Sequence, residues 1–380
     1  MSGRLKVMTI LGTRPEIIRL SATIKLLDAV TDHVLVHTGQ NHDFELNEIF
    51  FRDLDVRRPD HMLGVDVSSL GAVLGSVLVK TEAVLRAERP DAVVILGDTN
   101  SAIAAVIARR MQIPVYHLEA GNRSFDENVP EEINRRMVDH VSDYNFAYTL
   151  HAQRNLLNEG LHPSRVFVTG SPMREVLESA ADAIARSDVL EREELTAGRY
   201  LLASLHRQEN VDDPARLAIL ARALHLLADA HDVPVIVSTH PRTRTRLESQ
   251  PDLHSDRIRW QAPYGFHDYV ALQQHALLVL SDSGTVSEES SILGFPAVTV
   301  RDAIERAEAI ETGAMITTGV DEESILDSAA LALKLFAMSG PAEVPAAYLV
   351  NDMARRVVSV IRATAGTHHE RAGIRRQPLT

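Results

Sequence analysis

Ionisable side chains in this sequence collect just behind apolar runs. The stretch "HLEAGNRSFDENVPEEINRR" (117–136) holds five carboxylates and three arginines within twenty residues, between a strand-like run and a helical one. Two readings of it stay open: a solvated surface loop, or acids and bases gathered for proton transfer. "SDSGTVSEESSILGFP" (281–296) sets Ser283, Gly284 and Thr285 between an apolar run and a helical one whose first turn holds Glu288 and Glu289. The free N–H groups and dipole of a helix N-terminus suit a diphosphate, and Gly284 lets the backbone approach it closely. A plain Ser or Thr N-cap accounts for these residues equally well. Glu289 fits neither account unless it meets a sugar hydroxyl. Arg14 in "GTRPE" is suited to phosphate oxygens, or to a surface salt bridge. His206 and Arg207 in "LHRQEN", and His240 and Arg242 in "THPRTR", repeat one pattern of histidine followed by arginine. A single such histidine is more often structural; two at successive strand ends point to an anionic ligand.

The elements that must carry these groups alternate. "LKVMTIL", "HVLVHTG", "DAVVILGD", "IPVYHLEAG", "YNFAYT" and "RVFVTG" read as strands, with helices over "PEIIRLSATIKLLDAV", 68–89, "SAIAAVIARRM" and "PEEINRRMVDHVS" between them. The rhythm restarts with the strands "RYLLASLH", "PVIVSTH", "ALLVLSD" and "PAVTV" and the helix "PARLAILARALHLLADAH". Such alternation predicts parallel sheets with right-handed crossovers, an α/β class with two Rossmann-like domains. The domains are expected at 1–170 and 171–356, with a C-terminal helix over 357–375 crossing back onto the first. Ligands of open parallel sheets bind beyond the carboxyl ends of the strands, where "GTRPE", "GDTNS" and "EAGNRSFDENVPEE" stand in the first half. "SLHRQEN", "STHPRTR" and "SDSGTVSEES" stand there in the second half, as expected of a cleft between two domains. The tail "THHERAGIRRQPLT" is polar and reads as loosely held, its histidine pair as incidental rather than metal-binding.

At 380 residues, 45% hydrophobic and 24% charged, the chain has apolar material for two cores. It contains no cysteine, which excludes disulfides, thiolate nucleophiles and cysteine metal sites. A net charge of −13 without a basic block argues against nucleic acid. No apolar run approaches the ~20 residues of a membrane span, and the N-terminus reads as a first strand rather than a signal peptide. "GTRPE" is not the G-x-G-x-x-G of dinucleotide sites, and no carboxylate pair has an obvious metal spacing, so no cofactor or metal is expected.

"GTRPEIIRL", "HTGQNHDFELNEIFF", "GDTNS", "HLEAGNRSFDENVPEEINRR", "HRQEN", "DSGTVSEES" and "RDAIERAEAIETG" stand in one order and spacing over roughly residues 5–365. In this the chain resembles the non-hydrolysing UDP-N-acetylglucosamine 2-epimerases. The resemblance implies a GT-B fold, two Rossmann-like domains with a UDP-sugar between them, and a homodimer, while the absence of cysteine fits a cytoplasmic enzyme. It carries the catalytic acids onto Asp98, Glu119 and Glu131, and a further catalytic position onto His206. Binding of the UDP-sugar falls on Arg14, Arg19, His240, Arg242, Phe266 in "YGFHDY" (264–269), Ser283, Gly284, Thr285, Glu289 and Arg301. Arg19, Asn41, Asn122 and Thr285 depart from the pattern, standing where lysine, histidine, leucine and glycine are usual. These departures resemble a sister branch, which inverts C2 of UDP-2-acetamido-2,6-dideoxy-L-talose to UDP-N-acetyl-L-fucosamine for capsule or O-antigen.

No carbonyl adjoins C2 of an N-acetylhexosamine, so the resemblance implies elimination of UDP to a 2-acetamidoglycal and re-addition. That route needs a base, an acid on the other face and a stabilised leaving diphosphate. Three alternatives remain at this stage: UDP-GlcNAc/UDP-ManNAc interconversion, a GT-B glycosyltransferase, and a regulatory UDP-sugar-binding protein. The glycosyltransferase leaves the acids of 117–136 without a task. Asp126, Glu127 and Glu132 read as surface or helix-dipole charge.

Overall fold

The computed structural model describes residues 4–40, 44–126, 128–239, 256–302 and 306–374. The chain forms two compact units, Met1–Val176 with Val350–Thr380, and Leu177–Leu349. His240 and Arg242 lie outside the described residues, as does Glu127.

The first unit is built on a seven-stranded parallel sheet. Its strands are β1 (Lys6–Leu11), β2 (Asp32–His37), β3 (His61–Met62), β4 (Ala92–Leu96), β5 (Val115–Leu118), β6 (Tyr144–Ala147) and β7 (Val166–Val168), in the order β3-β2-β1-β4-β5-β6-β7. All five residues of β4 are buried, because helices cover both faces of a parallel sheet and leave no polar side for alternation. The second unit repeats the plan with six parallel strands: β8 (Leu201–Leu205), β9 (Val235–Thr239), β10 (Ile258–Gln261), β11 (Leu278–Ser281), β12 (Ala297–Thr299) and β13 (Ile316–Thr317), ordered β10-β9-β8-β11-β12-β13. Each sheet has its own core, one around Met8, Ile10, Val93 and Ile95, the other around Leu201, Ala203, Val235 and Leu280. These are two Rossmann-like α/β domains, the fold class the alternation predicted. Strand order reverses direction between β1 and β4 in one sheet and between β8 and β11 in the other, and each such point opens a crevice at the strand ends.

The helix Met353–Thr364 belongs to the first unit and packs on the helix Arg14–Val30. Tyr116 Oη lies 2.7 Å from Thr364 Oγ1, and Glu175 accepts the Ala354 N–H at 3.0 Å. The described part of the tail, as far as residue 374, is better held than its polarity suggests. His368 is buried, with Nδ1 3.2 Å from Tyr144 Oη, and His369 Nε2 lies 2.9 Å from the Gln112 carbonyl. Among the described residues, no group of three or more His, Asp or Glu is placed to hold a metal ion, and no helix is long and apolar enough to cross a membrane.

Candidate active site

In the first unit, the loops after β1, β4 and β5 bring together most of the residues singled out there. Gly12 is required by close approach: a Cβ would stand 2.0 Å from Thr38 Oγ1 and 2.2 Å from Ser101 Oγ. Thr13 is the N-cap of the helix Arg14–Val30, and Pro15 falls in its first turn, where a missing N–H costs nothing. The buried Glu16 reaches back as in a capping box, accepting from Gly12 N at 3.0 Å and Thr13 Oγ1 at 2.7 Å. Its other oxygen accepts from Thr99 Oγ1 at 3.1 Å, next to Asp98. Burial pushes Glu16 up to about 7, against the pull of its Thr13, Gly12 and Thr99 donors. Arg14 is half-buried, its guanidinium 5.8 Å from the centre of the Phe50 ring.

Asp98 receives the buried Arg135 of the helix Pro130–Val141, and Asn134 Nδ2 donates to the Asp98 carbonyl at 3.0 Å. Glu131 is exposed in the first turn of that helix, three and four residues before Asn134 and Arg135, so the spacing sets all three on one face. Glu119 follows β5 with φ +63°, a left-handed backbone that costs a non-glycine residue roughly 1–2 kcal/mol. Its carboxylate is gripped from both sides. Arg19 Nη1 stands 3.1 Å from Oε2, and Asn122 Nδ2 donates to Oε1 at 3.4 Å. Arg19 is itself buried, its guanidinium 5.8 Å from the Tyr148 ring centre.

Glu132, expected as surface charge, is instead 2% exposed. It pairs with Arg135 at 3.3 Å and Arg136 at 3.0 Å, and accepts the Ser124 N–H at 3.1 Å. The chain turns back at 124 and needs an acceptor there, which is why this acid faces inward. Asp126 makes a local turn, accepting from Asn128 N at 2.9 Å.

In the second unit, the loops after β8 and β11 are tied by one residue that the sequence reading passed over. Asp282 is fully buried and accepts the backbone N–H groups of His206 at 3.1 Å and Arg207 at 3.0 Å, and Asn210 Nδ2 at 3.1 Å. His206 Nδ1 lies 2.9 Å from it, and the His206 side chain is 40% exposed. Burial alone would raise Asp282, but the His206 ring and the donors of His206, Arg207 and Asn210 hold it below the usual carboxylate range. Thr285 is the N-cap residue of the helix Val286–Leu293 but has a helical backbone and makes no side-chain cap, so the plain-cap account is not realised at that residue. Ser283 Oγ instead accepts from Thr285 N at 3.3 Å and lies 3.0 Å from Thr285 Oγ1. The Gly284 carbonyl accepts from Arg306 Nε at 3.2 Å, and Arg306 also faces the buried Glu288 at 3.6 Å. Glu289 is 5% exposed and accepts from Gln273 Nε2 at 2.6 Å. Phe266 opens the helix Phe266–His275 and is buried, as is Arg301 after β12.

Arg135, Asp282, Arg306 and Gln273 are thus the partners that sequence reasoning missed. Only Asp282 carried a signal, as an acid placed between a buried strand and the Ser-Gly-Thr turn.

Two parallel sheets, one with acids in the segments after β4 and β5 and the other with a Ser-Gly-Thr loop after β11, define an isomerase acting on UDP-sugars once set beside known proteins. Residues 26–362 match the family described as UDP-N-acetylglucosamine 2-epimerase, and the chain belongs to that family. It is 38% identical to UDP-N-acetylglucosamine 2-epimerase of Methanocaldococcus jannaschii over 87% of this chain and 92% of that one. It is 36% identical to UDP-2,3-diacetamido-2,3-dideoxy-D-glucuronate 2-epimerase of Pseudomonas aeruginosa, over 87% of this chain and 92% of that one. The crystal structure of the Methanocaldococcus jannaschii enzyme in complex with UDP-GlcNAc and UDP superposes with a TM-score of 0.88 at 35% identity, covering 94% of this chain and 100% of that one.

Proposed function

We propose that this chain inverts C2 of a UDP-N-acetylhexosamine by elimination and re-addition, with UDP-GlcNAc and UDP-ManNAc as the first substrate pair. The observation that carries the reading is the Glu119 carboxylate, fixed at the end of β5 between Arg19 and Asn122. A carboxylate so held keeps its aim, and geometry is the first requirement of a group that exchanges a proton with carbon. Asp98, paired with Arg135, and Glu131, exposed one turn before it, complete the acid set. In the forward step a carboxylate takes the C2 proton while the C1–O bond breaks, and UDP leaves with the bonding pair. The glycal then receives a proton at C2 on the opposite face, and a diphosphate oxygen returns to C1. No oxidant is consumed. The second unit attends the leaving group: the loop Ser283–Thr285 and His206 suit the diphosphate, and Glu289 suits the ribose. Relatives named for UDP-N-acetylglucosamine favour the first pair.

A second reading takes UDP-2-acetamido-2,6-dideoxy-L-talose as substrate and UDP-N-acetyl-L-fucosamine as product. It is favoured by a specific juxtaposition: Arg19 and Asn122, both departures from the usual pattern, meet on the same carboxylate. Proton NMR in D₂O with each UDP-sugar tests both readings. Exchange of the C2 hydrogen for deuterium with appearance of the C2 epimer is expected with one pair. Retention of the original hydrogen in a product that does form refutes elimination.

A further inference from the structure

We propose that His117 is a positioning residue for the epimerisation assigned above, holding the Asp98 loop and the Glu119 loop in one register together with the buried carboxylate of Asp139. The inference rests on that functional reading. His117 sits in β5 with 0% exposure. Its Nε2 lies 2.8 Å from the carbonyl of Gly97, the residue before Asp98. A carbonyl only accepts, so Nε2 carries a proton and donates it. The other nitrogen, Nδ1, is 2.9 Å from Oδ1 of Asp139, which is also fully buried. Asp139 in turn accepts the N–H of Gly121, two residues past Glu119, with its oxygens 3.2 and 3.3 Å away. One imidazole and one carboxylate therefore span from the backbone beside the first acid to the backbone beside the second.

Both ends of this span need holding. Gly97 has φ +67°, Glu119 +63° and Gly121 +84°, so each loop leaves its strand through left-handed backbone. Gly121 has no room to relax, since a Cβ there would stand 2.3 Å from the Ala152 carbonyl. The brace continues sideways. Arg123 Nη1 is 2.7 Å from Asp139 and also 2.7 Å from the carbonyl of Asn122, whose amide reaches Glu119. Arg135, on the Asp98 carboxylate, donates to the same Asn122 carbonyl at 3.3 Å. Arg123 is neutralised by Glu159 at 2.6 Å, and His140 stands 3.3 Å from that glutamate. Stability alone does not account for so much buried charge, because well-packed apolar residues usually serve a core as well or better. His117, Asp139, Arg123 and Arg135 instead touch the backbone of an acid-bearing loop, and Glu159 touches Arg123.

The test compares His117→Gln, Asp139→Asn and their double variant with Tyr116→Phe, a neighbour in β5 whose hydroxyl meets Thr364 instead. Each full-length enzyme is assayed for kcat and KM of epimerisation, UDP affinity and thermal midpoint. A misplacement near 1 Å costs about 100-fold in rate, so kcat is expected to fall by that order in His117→Gln and Asp139→Asn, with KM and UDP affinity within a few-fold. The double variant is expected to be little worse than either single one, because both break the same span. Tyr116→Phe is expected to lower the midpoint and keep kcat. Unchanged kcat in folded His117→Gln, or in Asp139→Asn should the former not fold, overturns the proposal. So does a fully additive double variant, or a loss equally visible in UDP affinity. Failure of the functional reading is seen separately, as absence of C2 exchange in the unaltered enzyme with every UDP-N-acetylhexosamine offered.

Discussion

Replacing Glu16 by glutamine should change how the stability of the first unit depends on pH. The carboxyl is buried and sits at about 7 in the folded chain, against 4.5 for a free glutamate. With the folded value raised, the folded state holds a proton that the unfolded state has released between these two pH values. Stability is therefore lost as pH rises through that window, and the loss levels off above 7. A gap near 2.5 units at 1.36 kcal/mol each gives a penalty of about 3 kcal/mol at pH 8. Glutamine carries no charge to desolvate. Its carbonyl can accept from Gly12 N and Thr13 Oγ1 as Glu16 does, and its amide can donate to the Thr99 hydroxyl. Glu16→Gln should thus be close to wild type at pH 5 and more stable by up to about 3 kcal/mol at pH 8, less about 1 kcal/mol for imperfect bonds. Urea unfolding at four pH values from 5 to 8, followed by circular dichroism, reads the difference. Parallel curves for the two proteins would refute the reasoning, since the buried carboxyl would then not set the slope.

Two further predictions concern the acids of the two units. Glu119→Gln should lower kcat by roughly 10²–10⁴-fold while UDP binding, measured by titration calorimetry, stays intact; near-normal turnover would remove Glu119 from the proton transfers. Asp282→Asn leaves the His206 and Arg207 N–H groups facing an amide and should destabilise the protein by about 2–4 kcal/mol at pH 7 and weaken UDP. Because Asp282 is held below its ordinary range, its contribution is present above the unfolded carboxylate pKa and lost as pH falls through the folded one. The gap to the variant should accordingly close in acid, as followed by urea midpoints.

The long strands and helices were legible because their signals are local. β4 is an unbroken apolar run, and Pro15 and Pro130 mark helix starts that the structure keeps in the first turn. β3 and β13, two residues each, and β10, four residues with the mixed sequence IRWQ, are edge strands too short for any period to register. At the candidate site, residue types were legible and their partners were not. Arg135 reads as one more charge in a basic-acidic helix until the fold brings it to Asp98, 37 residues away in sequence. Asp282 and His206 are 76 apart and meet only because β8 and β11 are neighbours. Glu132 misled for the same reason in reverse: its position suggests a helix-dipole acid, and only the return of the chain at Ser124 turns it inward.

The discontinuity of the first unit has a consequence for how the chain is made. Its helix Met353–Thr364 lies against the helix Arg14–Val30, and Gly170 has no room for a Cβ, which would stand 2.4 Å from the Val350 side chain. During synthesis those contacts arrive last. The sheet from β1 to β7 emerges long before its covering helix and waits with one flank open while the whole second unit, Leu177–Leu349, is translated and can fold. The inner domain is thus complete before the outer one, so a chain stalled or cut shortly before Met353 would hold a completed second unit and an unsealed first one.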